Sequence, residues 1–148
     1  MTEKIETAQA KLYDLLYEQR QLLSTFLLLT REQTQLIADE DGEAIEGNLG
    51  QRQAIIRQVD DLQTQITPLW QIHANSPAKA GGLSDLQEEI GSILRAVTEI
   101  DKRNQQVVRE RIDFLRGQMR RVSATFHGVG TYIKGTQTFS PGYVDERQ

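Results

Sequence analysis

The stretch that decides the fold is residues 84–126, which read SDLQEEIGSILRAVTEIDKRNQQVVRERIDFLRGQMRRVSATF. Its apolar side chains recur at steps of three and four, which is the spacing of one face of an α-helix. At about 1.5 Å per residue this helix is about 65 Å long, more than either helix predicted before it, so part of its face is expected to lack cover. The stripe consists of Leu86, Ile90, Ile93, Leu94, Val97, Ile100, Asn104, Val107, Val108, Ile112, Leu115, Met119, Val122 and Phe126.

The same spacing predicts two earlier helices, over about residues 3–38 and 43–73. Polar residues interrupt both stripes: Gln19 and Gln33 stand in the first, and Arg52 stands in the second. The periods resemble those of a coiled coil. We therefore expect each stripe to be buried mainly against the other helices of one bundle.

Short polar segments separate the helices. In the link Asp39-Glu40-Asp41-Gly42, the glycine tolerates the positive φ of a chain reversal, and either aspartate can cap the second helix. So short a link predicts an antiparallel hairpin. Residues 74–82 are expected to form a loop, with Ser84 as the N-cap of the third helix.

Together these elements predict an all-α fold, an elongated up-down-up bundle of three long helices over residues 1–127. Gly128 and Gly130 are expected to end the third helix. Residues 128–148 would then form an irregular, flexible tail rich in glycine and aromatic side chains, which docks on binding.

The residue content disfavours an enzyme and a membrane protein. The chain of 148 residues has no cysteine, and its longest apolar run, residues 26–29, is far too short to span a bilayer. His73 and His127 form no Glu-x-x-His pair, and Gly128-x-Gly130 follows a helix rather than a strand. We expect no catalytic residue, no metal and no cofactor. The N-terminus lacks the features of a secretory signal, so a cytoplasmic protein without membrane insertion is expected.

The charge is unevenly distributed along the chain. Residues 1–74 carry a net charge of −6, and residues 75–148 carry +2. The bases concentrate in the third helix, but the whole protein is acidic, so nucleic acid is not an expected partner. Pairing with the acidic first half, and with the helix dipole, explains the basic stretch better.

Two places are candidates for a partner surface. One is the end of the third helix, where client-binding residues would be Ile112, Leu115, Met119, Val122 and Phe126. Met119 offers an adaptable side chain, and such a groove captures an amphipathic helix through anchors at three- and four-residue steps. The other is the first helix near residues 22–29, which is apolar nearly all round. The sequence leaves open which of them holds the groove.

The tail carries more large apolar residues than a solvated C-terminus requires. The candidates for docking on a partner are Tyr132, Ile133, Phe139 and Tyr143, and Val144 follows them. A disordered end without a binding role is the alternative.

Three stretches resemble the flagellar export chaperone FlgN family. The first is the hairpin from Gln35 to Ile56, with its short acidic link and a Gln-Arg-Gln segment before a double apolar pair; Arg52 stands where the family usually has lysine. The second, residues 103–108, is similar to the family's asparagine followed by two apolar residues in the third helix. The third is residues 131–147, with Tyr132, Gly135 and the closing Asp-Glu-Arg.

The resemblance implies a cytosolic, non-enzymatic chaperone of type III flagellar export. Such a protein binds the C-terminal amphipathic helix of hook–filament junction proteins and delivers them to the export gate. Tyr132 corresponds to the tail tyrosine that contacts the gate, and the helix before it holds the client. An alternative is a structural coiled-coil adaptor that dimerises through its stripes and has no secretion client. The residues leave open whether the chaperone is itself a homodimer.

Overall fold

The computed structural model describes residues 2–74 and 82–133, which form three α-helices. These are α1 (Thr2–Ala38), α2 (Gly42–Ala74) and α3 (Leu83–Ile133). The described residues contain no strand, and the predicted all-α fold of three long helices is confirmed. By its internal contacts the chain falls into two units, residues 1–104 and residues 105–148.

Hydrogen bonds between the helices set their directions in the first unit. Gln19 Nε2 donates to Gln63 Oε1 at 3.1 Å, and Asn48 Nδ2 donates to the carbonyl of Leu29 at 2.9 Å. In these pairs the α2 number falls as the α1 number rises, so α2 is antiparallel to α1. In the contacts between α1 and α3, from Arg20–Glu89 to Thr34–Asn104, the residue numbers of both helices rise together. The two helices are therefore parallel. The predicted up-down-up order is confirmed.

The link between α1 and α2 reverses the chain at Glu40, not at Gly42 as expected. Glu40 has a φ of +56°, the left-handed conformation that commonly ends a helix. The amide of Asp41 bonds the carbonyl of Leu36, and that of Glu40 bonds the carbonyl of Ile37, which is the Schellman pattern. The Asp41 carboxylate accepts from the amide of Ala44 at 3.1 Å, so Asp41 is the N-cap of α2.

The start of α3 requires a glycine. Gly82 has a φ of +87°, and a Cβ there would lie 3.1 Å from Cε2 of Tyr13. The amide of Leu86 bonds the carbonyl of Gly82, so the helix begins at Leu83. Ser84, expected as the N-cap, therefore lies inside the first turn.

The predicted end of the third helix is wrong. Gly128 and Gly130 lie within α3, which continues to Ile133. A glycine in a helix interior is less favourable than alanine by about 1 kcal/mol, which weakens a helix without breaking it. The predicted tail of residues 128–148 falls mostly on residues 134–148, outside the described part of the chain. A boundary at residue 127 stays a prediction.

One apolar core joins the three helices of the first unit. Leu12 and Ile66 have no exposed surface, and α3 reaches the same cluster at its beginning. The cluster consists of Leu12, Leu15, Leu16, Leu23, Leu62, Ile66, Leu83, Leu86 and Ile90.

Beyond the core lies a polar layer, made by Gln33, Thr34, Arg52, Asp101 and Asn104. Both terminal nitrogens of the layer's arginine are used: Nη2 contacts both Asp101 oxygens at 3.0 and 2.9 Å, and Nη1 donates to Gln33 Oε1. Asn104 Nδ2 donates to that same Gln33 oxygen, and Thr34 Oγ1 donates to Asn104 Oδ1 at 2.8 Å. The layer therefore joins each of the three helices to the other two by hydrogen bonds.

Packing supports the arginine of this layer from a second side. The Arg52 guanidinium lies 4.5 Å from the ring centroid of Phe26, a cation–π contact, and its side chain is 13% exposed. A second ion pair, Arg20 to Glu89 at 2.6 Å, is more open to water. The hydrogen bond that Arg20 donates to Glu89 raises the pKa of the Arg20 guanidinium above its ordinary value.

We predict that Asp101→Asn lowers the free energy of unfolding by about 2 kcal/mol, because a largely buried guanidinium loses its counter-charge. Urea unfolding followed by far-ultraviolet circular dichroism measures this. The matched control is Asp60→Asn, at an exposed aspartate of α2, which should change stability by less than about 0.5 kcal/mol. Equal effects of the two substitutions would contradict a stabilising role for the polar layer.

Candidate functional site

Burial of α3 changes along its length. Ile90, Val97 and Asn104 are buried, with the last of these 5% exposed. From residue 105 to residue 125 no side chain is buried. The apolar spacing nevertheless continues through this stretch. One face of the helix therefore carries apolar side chains like those of the core, and none of the described residues buries them.

We call this surface the α3 apolar face and define it by Val108, Ile112, Leu115, Met119 and Val122. Their exposed fractions run from 36% at Met119 to 48% at Val122. Steps of four and three place them along one side of the helix. From the first to the last the face extends about 21 Å, or nearly four turns.

Four of the five residues predicted to bind a client belong to this face. Ile112, Leu115, Met119 and Val122 lie together on it, while Phe126 lies on α3 but its side chain is outside the described part. Val108 was absent from the predicted set, although its spacing of four from Ile112 could have placed it there. Their role in binding stays a prediction.

Arginines border the α3 apolar face. Arg109, Arg111 and Arg116 are exposed and each neighbours a face residue in the sequence. The Arg111 guanidinium lies 5.3 Å from the ring centroid of Phe114, which is itself 49% exposed. Residues 105–125 carry a net charge of +3, so the face lies in a basic surround.

The first helix offers a smaller apolar surface near residues 22–29 than its sequence suggested. Leu23 and Phe26 are buried, and Leu22, Leu27 and Leu29 are partly buried. Among the apolar side chains of this run, Leu28 is the freely accessible one, at 64% exposed. A single leucine is a common surface feature and does not form a groove.

The described residues offer little for catalysis or metal binding. They contain no group of three or more His, Asp or Glu side chains that could hold a metal ion. His73 is hydrogen-bonded to Gln9 at 3.3 Å and packs edge-on to Trp70, so its role is in helix packing. None of the described helices combines the length and apolar content that a membrane span needs.

Two shallow cavities lie on the first unit. One of about 260 Å³ is lined by Arg31, Thr34, Ile100, Arg103 and Asn104. The other, of about 440 Å³, has Asp85, Glu88, Glu89, Ser92 and Arg95 around it. Both are bordered by exposed charged side chains, and neither contains a nucleophile paired with a base.

The predicted docking residues divide between the helix and the tail. Tyr132 and Ile133 belong to the last turn of α3, contrary to the expectation of an irregular segment. Phe139 and Tyr143 lie outside the described residues.

We predict that Val122→Asp changes the free energy of unfolding by less than about 0.5 kcal/mol, because the side chain is already in water. Val97→Asp makes the same substitution on the same helix, at a side chain only 6% exposed. It should cost more than about 3 kcal/mol, since a carboxylate would be placed in the apolar interior. Urea unfolding of both variants checks this, and a similar loss in each would show that the α3 apolar face is covered.

A comparison with known protein families found one family that matches the chain. The family described as FlgN protein matches residues 1–138, which is almost the whole chain. No curated protein and no solved structure matches the chain closely enough to count as a relative. FlgN proteins are flagellar export chaperones that bind flagellar export substrates, and they are not an enzyme family. The chain therefore belongs to the FlgN family of flagellar export chaperones.

Proposed function

We propose that this chaperone works in the cytosol and binds the C-terminal amphipathic helix of hook–filament junction proteins on the α3 apolar face. It then delivers them to the export gate through Tyr132, Ile133, Phe139 and Tyr143. The observation that carries the proposal is the run of exposed apolar residues on α3. Family membership and the resemblance of the tail support the choice of client and of gate.

The chemistry of the α3 apolar face suits a helical client. Exposed apolar surface in a contiguous strip marks a site for another protein. A strip one residue wide and nearly four turns long matches the apolar stripe of an amphipathic helix, whose anchors recur at the same steps. Met119 is the fourth of its five residues, and an unbranched thioether adapts to different client side chains. Phe126 is included in the proposed client site on its sequence spacing of four from Val122.

The client's own chemistry requires such a surface. A helix whose apolar stripe becomes buried only after assembly would expose that stripe in the cytosol and aggregate. Covering the stripe with a matching helix face protects it by apolar burial alone. Delivery then needs a second contact that leaves the face occupied, and the residues at the end of α3 and beyond are suited to that contact.

We predict that Leu115→Asp and Val122→Asp each weaken client binding at least about tenfold, because each places a carboxylate in the apolar contact. Calorimetric titration with the last ~40 residues of a hook–filament junction protein from the same organism measures this. The matched control is Leu49→Asp, which alters a leucine of α2 that is 48% exposed. It should leave the affinity within about twofold.

Two results would contradict the proposed client site. One is a wild-type chain that does not bind the fragment at high concentration. The other is equal weakening by the Leu49 and Leu115 substitutions. A mass that doubles with concentration, and falls in the Leu115 variant, would instead assign the α3 apolar face to a coiled-coil dimer.

We predict that Tyr132→Ala weakens docking of the chaperone–client complex on the cytosolic domain of the export gate at least about fivefold, through loss of an aromatic anchor. Client affinity, measured in parallel, should not change. Tyr17→Ala removes an exposed tyrosine of α1 and serves as the control. Full docking by the Tyr132 variant would refute this role for the tail.

A further inference from the structure

The charged residues on the two edges of the α3 apolar face affect which partner helix can bind there. At about 100° per residue, Arg109 and Arg116 lie on one edge of the face and Arg111 lies on the other. The remaining edge positions hold Gln105, Val107, Gln118, Ser123 and Thr125. No carboxylate stands at either edge, since Glu110 and Asp113 lie on the outer side of the helix.

The arginines of the first edge are available for pairing. Arg109 and Arg116 are exposed, and neither makes an ion pair with another described residue. They are seven residues apart, which is one repeat of a coiled-coil seam, and residues at such edges select the partner by charge. An acidic partner would complete the edge with opposite charges.

From this charge pattern we infer that the α3 apolar face selects a client helix with carboxylates beside its apolar stripe, spaced one heptad apart to meet Arg109 and Arg116. The inference rests on the proposed client-binding function and specifies the partner's chemistry. A second copy of this chain fits poorly. Packing two such faces together would bring like-charged arginine edges near one another, which disfavours the pair.

The net charge of the protein makes this inference easy to test. At −4, the whole chain attracts a cationic peptide more than an anionic one at long range. Preference for an acidic helix would therefore have to come from the local arginines. The effect should weaken as salt screens exposed charges.

The test uses two labelled designed peptides of about 28 residues, four heptads with the same apolar positions, carrying either Glu or Lys at all edge positions. Fluorescence anisotropy with the full-length chain measures both affinities. We expect the Glu peptide to bind about tenfold more tightly at about 50 mM salt, and the difference to shrink at about 500 mM. Equal affinities, a preference for the Lys peptide, or no binding of either peptide would overturn the inference.

A pair of charge reversals locates the effect. Arg109→Glu with Arg116→Glu should remove the preference for the Glu peptide. Arg120→Glu with Arg121→Glu gives the same change in net charge on the same helix, about 130° from the centre of the face, and should retain most of the preference. Equal loss in both double variants would contradict selection at the edge. All four arginines are exposed, and the circular dichroism spectrum checks that both variants are folded.

The designed peptides separate this inference from the proposed function. Preference for the Glu peptide, with no binding of the junction-protein fragment, would refute the client but keep the charge rule. Binding of the fragment without any charge preference would do the reverse.

Discussion

The fold depends on the contact of Arg52 in α2 with Asp101 in α3, two residues that lie 49 positions apart in the sequence. A guanidinium that is 13% exposed is stable there only with its counter-charge, its Gln33 acceptor and the Phe26 ring in place. A shift of α3 by one turn would separate these groups. The apolar core tolerates many registers, whereas the polar layer favours one, and so it fixes which α3 residues are packed.

In this register, one part of the apolar stripe of α3 is packed in the bundle and the other part is exposed. Up to Asn104 the three- and four-residue spacing of α3 serves the bundle, and after it the same spacing gives an exposed strip. The packed part tolerates little change, because side chains such as Leu86, Ile90 and Val97 are buried. The exposed part has no such constraint, so its apolar residues and arginine edges can change with the partner while the bundle keeps its stability.

The helices and their order could be predicted from spacing, whereas the sequence leaves the cap of the second helix open between Asp39 and Asp41, and the structure shows Asp41 in that place. Other features depend on three-dimensional contacts. Arg52 stood out as a charge within a stripe, yet nothing local identifies Asp101 among the acids as its partner. Buried Val97 and exposed Val122 also occupy the same position in the apolar pattern. The sequence could therefore identify the residues of the candidate face, but it could not show that they are exposed and not part of the core. The helix end was misjudged because two glycines oppose a helix only weakly.

Because α3 is continuous, its exposed part is already helical when a partner arrives. A separate peptide of residues 105–125 would first have to form a helical turn, a step disfavoured by a factor of about 10⁻³. Here the turn already exists, since Leu86 to Asn104 are held by the bundle. Helical structure in residues 105–125 therefore only has to propagate from the part of α3 that the bundle holds. A partner helix then binds a segment whose unfavourable nucleation step was completed when the bundle folded.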